Sequence, residues 1–178
     1  MLTPEMPDPQ AIADLVDAAR KGDRQAFAGL VGNFLPAVTA TALSIVHNRE
    51  SAQDVAQLAF LRAWQSLKSL QASAAFTTWL MTITKNCARN WLRDHSFQAR
   101  MARGVELTAR PAPTPTDNSL PPEVARLPDD LREVVVLRYV SDLSYEEIAV
   151  ATGQPLSVVR DRLYRAKLAL QEILKSHQ

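Results

Sequence analysis

One face of a helix predicted near the C-terminus carries side chains suited to contacting a nucleic acid. The face consists of Ser157, Arg160, Asp161, Tyr164 and Arg165. Arginine donates to guanine edges and to phosphate oxygens, and a carboxylate can accept a hydrogen bond from a cytosine amino group. Asp161 can equally pair with Arg165 one turn on, or repel phosphate. The face predicts recognition of DNA through hydrogen bonds and charge.

The residues before this face carry the signals of a helix-turn-helix. Ser144 and Glu147 have the spacing of a capping box, in which a hydroxyl and a carboxylate satisfy free amides at a helix start. Gly153 suits a residue that leaves a helix with positive φ, and Pro155 suits the start of the next helix. The apolar side of that helix consists of Val159, Leu163, Ala166, Leu170, Ile173 and Leu174. This geometry places the second helix in a DNA major groove.

A second polar cluster lies near the middle of the chain, on the fourth predicted helix. It consists of Lys85, Asn86, Arg89, Asn90 and Arg93, opposite an apolar stripe of Phe76, Trp79 and Ile83. Asparagine and arginine suit base edges and phosphates. Trp79 and Trp91 can stack on unpaired bases or pack in a core, and we favour the core for Trp79.

The spacing of apolar residues predicts helices and no convincing strand. A first helix contains Ile12 and stops near residues 21–23, and a second begins near Arg24, with a kink or break expected at Pro36. A third helix spans residues 51–67. The proline-rich stretch from 104 to 122 lacks an apolar pattern and predicts a linker. We therefore expect an all-α fold of two small helical domains joined by a flexible linker.

The formal net charge of +1 conceals alternating blocks of charge along the 178 residues. Residues 1–61 carry −3, residues 62–110 carry +6, residues 111–147 carry −5, and residues 148–178 carry +3. Because electric fields follow local charge, the two basic blocks predict two separate polyanion-binding surfaces. An ordinary mixture of solvated charges is the alternative.

Several classes of protein and site are disfavoured by the composition. The single cysteine, Cys87, excludes an internal disulfide and a cysteine-based zinc site, and we expect it to be a small core residue. The histidines are scattered, no nucleophile–base spacing occurs and there is no Gly-rich phosphate loop, so neither catalysis nor a cofactor is expected. No run of about 18 apolar residues predicts a membrane span, and the N-terminus lacks a targeting core. We expect a cytoplasmic protein.

Four strings of residues, in this order, resemble the extracytoplasmic-function (ECF, group 4) sigma factors of bacterial RNA polymerase. The strings are Ser51 to Trp64, Phe76-Thr77-Thr78-Trp79-Leu80, Ile83-Thr84-Lys85-Asn86, and Leu127-Pro128 followed by Leu143-Ser144-Tyr145-Glu146-Glu147-Ile148-Ala149. The resemblance implies a four-helix sigma region 2 over residues 1–103, which binds core polymerase and the −10 element. It also implies a linker over residues 104–121 and a helix-turn-helix region 4 over residues 122–178, which binds the −35 element.

The resemblance further implies the partners and the residues that meet them. The partners are promoter DNA and core RNA polymerase, through the clamp helices of β′ and the β flap. By position, the residues that dock on the clamp helices are Asp54, Gln57, Phe60 and Arg62. The loop that captures a flipped −10 base includes Leu70, Gln71, Ala72 and Ser73, and the neighbouring −10 bases are read by Asn86, Arg89, Asn90 and Arg93. The −35 element is read by Ser157, Arg160, Asp161, Tyr164 and Arg165.

The docking helix departs from the family pattern because it is poor in acidic residues. Ser51, Gln53 and Leu58 stand where acids are expected, and Asp54 remains, with Glu50 nearby. The family includes a branch whose acid-poor helix is activated by a Ser/Thr kinase, and a phosphate on Ser51 would add nearly two negative charges. Alternatively, Leu58 packs in the core, docking is adequate without modification, and an anti-sigma protein is the controlling partner.

The main rival function is that of an autonomous helix-turn-helix regulator of transcription. In that case the N-terminal half would act as a sensor or dimerisation domain, and the isolated protein would bind duplex DNA tightly. A sigma factor would instead need core polymerase to bind its promoters.

Overall fold

The structure, a computed structural model, describes residues 8–103 and 120–175, and only the backbone of residues 96–103. Every regular element within these ranges is helical, which confirms the all-α prediction. The helices are α1 (Pro9–Arg20), α2 (Arg24–Val46), α3 (Arg49–Ser66), α4 (Phe76–Arg103), α5 (Pro122–Ala125), α6 (Asp129–Tyr139), α7 (Tyr145–Thr152) and α8 (Leu156–Lys175), with 3₁₀ turns at Leu67–Ser69 and Ser73–Ala75. The predicted linker falls almost wholly on residues 104–119, which lie outside the described residues.

Short polar side chains set the starts of α2 and α3. The Asp23 carboxylate accepts hydrogen bonds from the backbone N–H groups of Gln25 and Ala26 at 2.8 and 3.0 Å. The side-chain oxygen of Asn48 accepts from the N–H of Ser51 at 2.9 Å. Each bond satisfies an amide that has no partner within the first turn of the helix.

Helix α2 passes through Pro36 unbroken, so of the predicted kink or break at this residue the break does not occur. Proline at this position removes the helical hydrogen bond to the carbonyl of Gly32 and crowds that carbonyl. Both Gly32 and Pro36 are exposed, so water can satisfy the freed carbonyl oxygen.

By length and composition α2 could also span a membrane, with a mean hydropathy of 1.6 over its most apolar window, but 61% of that window is buried inside the protein. Its apolar character is that of a core helix.

Helices α1, α3 and α4 pack around α2 to form the first part of the core. Phe34 of α2 meets Phe76 of α4 edge to face, with ring centroids 5.3 Å apart. Leu30, Val38 and Leu80 are completely buried in the same core. This packing fixes the position of α4, whose other faces carry the polar cluster.

The predicted helix-turn-helix is formed by α7 and α8. The Ser144 hydroxyl accepts from the N–H of Glu147 at 3.2 Å, and the Glu147 carboxylate accepts from the N–H of Ser144 at 2.8 Å. This confirms the capping box. Gly153 ends α7 with φ at 67°, and α8 begins directly after Pro155. Val159 anchors α8 because it is completely buried.

Helix α6 joins the two parts of the chain that the sequence analysis treated as separate domains. It packs on α2 and on α8, and every residue from Leu131 to Leu137 is buried. Val136 belongs to the core that includes α2 and α4, whereas Leu131 and Val135 cluster with Ala166 of α8. A helix that is apolar on both sides is the pattern of an element buried between two layers.

Candidate nucleic-acid interface

The outer face of α8 exposes all five polar residues that the sequence placed there. They are Ser157, Arg160, Asp161, Tyr164 and Arg165. Tyr164 supplies the aromatic ring of this face, and it is 63% exposed. The opposite side of α8 buries Val159 and Ala166. A helix that follows a tight turn, buried on one side and polar on the other, has the geometry that enters a major groove.

The carboxylate on this face is paired within its own helix. Asp161 Oδ2 lies 3.7 Å from Arg165 Nη1, so of its three possible roles the structure contains the pairing one turn on. Arg162 lies outside the face and its Nε is 3.6 Å from Asp130 Oδ2 of α6. Among the residues that the structure describes, Arg160 has no carboxylate partner, which leaves its guanidinium available to DNA.

Helix α4 exposes one part of the second polar cluster and buries another. Asn86, Arg89 and Arg93 are exposed and Asn90 is half-buried. Lys85 is 5% exposed. Burial lowers the pKa of Lys85 and the charge of Arg89 lowers it further, while the Glu133 carboxylate of α6 acts in the opposite direction. The polar surface that α4 presents therefore consists of Asn86, Arg89, Asn90 and Arg93, without Lys85.

A carboxylate from α6 already engages the Arg89 side chain. Arg89 Nη2 lies 3.3 Å from both carboxylate oxygens of Glu133. The Glu133 side chain is 9% exposed and the Arg89 side chain is 51% exposed. A polyanion that binds this face therefore competes with Glu133 for one of the donors of Arg89.

The two tryptophans of α4 differ in their surroundings. Trp79 is half-buried and packs against Phe76, with ring centroids 6.0 Å apart, so it is a core-packing residue as we favoured. Trp91 stacks on His95 with centroids 3.7 Å and planes 16° apart. One face of the Trp91 ring is therefore covered by a neighbour of its own helix.

The loop between α3 and α4 is anchored at both sides of its centre. Leu70 is buried in the core at 4% exposure, and the Ser73 hydroxyl donates to the Asp17 carboxylate of α1 at 2.5 Å. Gln71 and Ala72 lie between these anchors and are exposed. The loop thus presents Gln71 and Ala72 outward, while Leu70 supports it from the core.

The predicted docking face of α3 is mostly exposed. Asp54, Gln57 and Arg62 reach solvent, whereas Phe60 is 7% exposed and packs in the core. Phe60 therefore holds α3 in place and is not at the surface that a partner would touch. Leu61, at 53% exposure, lies one turn from Gln57 and was missed by the sequence analysis. An apolar residue among exposed polar neighbours at helical spacing could have signalled it.

The positions where acids were expected are occupied in different ways. Ser51 lies in the first turn of α3, and its hydroxyl donates to Asn48 Oδ1 at 3.0 Å. Gln53 is exposed. Leu58 is half-buried and packs against the core, as the alternative interpretation expected. Only the first two positions are therefore open to a change of charge without loss of packing.

Cys87 is buried on the inner side of α4, as expected of a small core residue. Burial raises the pKa of its thiol, and the charge and hydrogen bonding of Arg62 act in the opposite direction. Within the described ranges, no three His, Cys, Asp or Glu side chains come together as a metal site requires. The surfaces above can bind through hydrogen bonds, charge and stacking.

Two segments of the chain match known protein families. Residues 30–98 match Sigma-70 region 2, and residues 123–170 match Sigma-70, region 4. The first segment contains α3, the loop after it and the polar face of α4. The second contains the helix-turn-helix.

Individual proteins show the same likeness along most of the chain. The chain is 35% identical to the probable RNA polymerase sigma factor RfaY of Xanthomonas campestris pv. campestris, over 91% of its own length and 46% of that protein. It is 32% identical to the ECF RNA polymerase sigma-E factor of Haemophilus influenzae, over 86% of this chain and 89% of that one. The solved structure of the sigma factor RpoE in complex with the anti-sigma factor NepR from Bartonella quintana matches with a TM-score of 0.68 at 27% identity, covering 85% of this chain and 98% of that one.

Proposed function

The chain belongs to the extracytoplasmic-function group of the sigma-70 family, and we propose how its residues divide the work of such a factor. Sigma factors bind core RNA polymerase and direct it to promoters, and they are initiation factors rather than enzymes. This chain is accordingly a promoter-specificity subunit of RNA polymerase. The observation that carries the assignment of roles is the exposed polar face of α8 in the segment that matches region 4.

In our proposal, α8 reads the −35 element from the major groove. Arg160 is available for a guanine edge or a phosphate. Arg165 must first leave Asp161, or the pair must bind as a unit in which the carboxylate faces a cytosine amino group. Ser157 and Tyr164 supply hydroxyl groups at the two ends of the same face.

The −10 element would be read where α4 and the loop before it meet. Asn86 and Asn90 would contact base edges, and Arg89 and Arg93 would contact phosphates. Opening a promoter requires that a base be held out of the stack. The exposed centre of the loop at Gln71 and Ala72, with Leu70 and Ser73 holding its ends, is the surface that would receive it.

Docking on core polymerase would use the outer side of α3 for the β′ clamp helices. Asp54, Gln57 and Arg62 supply polar contacts there, and Leu61 supplies an apolar one. The helix-turn-helix half would contact the β flap. We further propose that residues 1–103 act as region 2, residues 104–121 as the linker and residues 122–178 as region 4, in a protein that works in the cytoplasm.

Control of docking is proposed to act through the acid-poor start of α3. Ser51 lies in the first turn of the helix, where unpaired amides and the helix dipole favour negative charge. A Ser/Thr kinase that phosphorylates Ser51 would add nearly two negative charges at this point. An anti-sigma factor, as bound to RpoE in the related structure, is the other candidate for a controlling partner.

Binding measurements with and without polymerase test the function. Promoter duplex should be bound tightly by the protein together with core polymerase and weakly by the protein alone. The matched control is a duplex with both promoter elements replaced, which should lose the polymerase-dependent binding. Tight, sequence-specific binding of the isolated protein to duplex DNA would instead identify an autonomous regulator.

A further inference from the structure

A cleft of about 360 Å³ lies between the end of α1 and the first 3₁₀ turn. Its lining residues are Asp17, Arg20, Lys21 and Lys68. The residues matched to Sigma-70 region 2 begin at residue 30, so α1 lies outside the matched segment. None of the roles assigned above uses this cleft.

The charges around the cleft favour an anion. Three of the four lining side chains are cationic, and the carboxylate of Asp17 is already engaged by Arg20 at 3.8 Å and by the Ser73 hydroxyl at 2.5 Å. In the described part of the chain, neither Lys21 nor Lys68 is paired with a carboxylate. Two ammonium groups therefore line a concave surface with a net positive charge. A concave shape strengthens the positive electrostatic potential inside the cleft, which attracts an anion.

The position of the cleft indicates which anion it would take. Helix α1 packs against both 3₁₀ turns that flank Leu70–Ala72, and the hydrogen bond from Ser73 to Asp17 ties that loop to the wall of the cleft. A base held by the loop belongs to a strand whose neighbouring phosphates lie within one nucleotide of it. Lysine binds phosphate as a point charge, without regard to the base.

We propose that the cleft lined by Lys21, Lys68 and Arg20 binds a backbone phosphate of the displaced DNA strand next to the captured base. The proposal rests on the proposed function, because it assumes that the loop receives a flipped −10 base. It adds a base-independent site that holds the opened strand against α1. Lys21 and Lys68 are thus binding residues that act on affinity and not on the choice of bases.

The test measures binding of the holoenzyme to a single-stranded oligonucleotide that carries the −10 element. Replacing both lysines, Lys21→Ala with Lys68→Ala, should weaken binding by up to about fivefold per lysine. It should also reduce the slope of log K against log salt by about 0.7 per lost phosphate contact on a single strand. Lys175→Ala at the far end of α8 removes the same charge outside the cleft and should change neither quantity.

A neutral phosphate locates the contact. Methylphosphonate placed at one linkage beside the flipped base should weaken binding to the wild-type holoenzyme and have little further effect on the double variant. The double variant should also keep the wild-type preference among base-substituted oligonucleotides. The cleft proposal would be overturned if methylphosphonate at every linkage weakened the binding of the wild-type holoenzyme and of the double variant equally. It would also be overturned if the lysine replacements caused no loss of affinity. A wild-type holoenzyme that ignores the −10 sequence would instead overturn the proposed function.

Discussion

On the face of α8 that we propose reads the −35 element, the pairing of Asp161 with Arg165 makes Arg160 and Arg165 unequal. Arg160 has no carboxylate partner among the described residues, whereas Arg165 shares its charge with a neighbour one turn away. Arg160→Ala should therefore cost about 1–3 kcal/mol of discrimination at one −35 base pair if it binds a guanine edge. Band-shift assays of holoenzyme on promoters with single −35 substitutions measure the loss.

Arg165→Ala should cost less than Arg160→Ala, since part of its charge is already neutralised by Asp161. Asp161→Ala should release Arg165 and strengthen binding to duplex of any sequence. Equal losses from both arginine variants, with Asp161→Ala neutral, would contradict the unequal roles.

The asparagines of α4 allow a prediction about strand opening. Asn86→Ala and Asn90→Ala should reduce opening at the −10 element, because amide contacts to base edges are lost while the −35 face is untouched. Reactivity of unpaired thymines toward permanganate reports opening, and protection of the −35 element reports duplex binding. Loss of both signals together with lost helicity would show that the variants act by unfolding the protein.

Glu147 links local capping to the contact between the two halves and gives a prediction about pH. Burial by itself would raise the pKa of its carboxyl, but hydrogen bonds from Ser144 and from Thr78 outweigh burial and lower the pKa. A carboxyl whose folded-state pKa is lowered stabilises the protein above its unfolded value of about 4.3 and loses that contribution as pH falls through the folded value. Glu147 should therefore contribute to stability at neutral pH and progressively less in acid.

Removing the Thr78 hydroxyl separates the two sources of this shift. Thr78→Val should raise the pKa of Glu147, measured by NMR titration of the carboxyl carbon, and reduce the loss of stability on going from neutral pH to acid. Thr82→Val is the matched control because the Thr82 hydroxyl donates to a carbonyl of its own helix. A pKa of Glu147 that is unchanged in Thr78→Val would contradict the contact between the halves.

Among the elements, α3 allows a direct test of missing acidity. Ser51→Asp and Gln53→Glu should each strengthen binding to core polymerase by at most about 1 kcal/mol, because exposed pairs contribute little and a carboxylate supplies less charge than phosphate. Affinity for core polymerase, measured by fluorescence titration, gives the comparison. Leu58→Glu is unsuitable as a further test of charge because Leu58 packs against the core.

The pattern of gains distinguishes the explanations. Improvement by Gln53→Glu without improvement at Ser51 would support missing acidity and contradict a phosphorylation switch. Unmodified protein that binds core polymerase as tightly as an acid-rich relative would remove the reason for a kinase and favour an anti-sigma factor.

Elements whose signals are local could be predicted from the sequence. Three examples are the capping box at Ser144 and Glu147, the left-handed conformation of Gly153 and the apolar stripe of α4 that begins at Phe76. Each of them depends on residues within a few turns of the same chain segment. Whether Pro36 breaks its helix could not be predicted, because the cost of proline depends on whether the freed carbonyl reaches water, which is a property of the fold. The burial of Phe60 was missed because an aromatic residue on a docking helix can face either a partner or the core.

At the scale of the whole molecule, the packing of its two halves could not be read from the sequence. Arg89 and Glu133 are 44 residues apart, and Thr78 and Glu147 are 69 apart, so no local periodicity connects them. The four consecutive apolar residues from Val134 to Leu137 indicate a buried segment. Because they do not follow the helical period, they do not indicate which two surfaces the helix packs against. The polar residues of α4 could therefore be predicted one by one, while their partial cover by α6 and α7 could not.

The central claim is that this chain selects promoters for RNA polymerase, and transcription in a reconstituted system tests it most directly. Core RNA polymerase would transcribe a library of genomic fragments with and without the protein, and sequencing of RNA 5′ ends would map the starts. We predict starts that appear only with the protein and share two sequence blocks, near −10 and −35, with the −35 block losing its effect in Arg160→Ala. A protein that binds duplex DNA tightly by itself and adds no start sites to core polymerase would contradict the account.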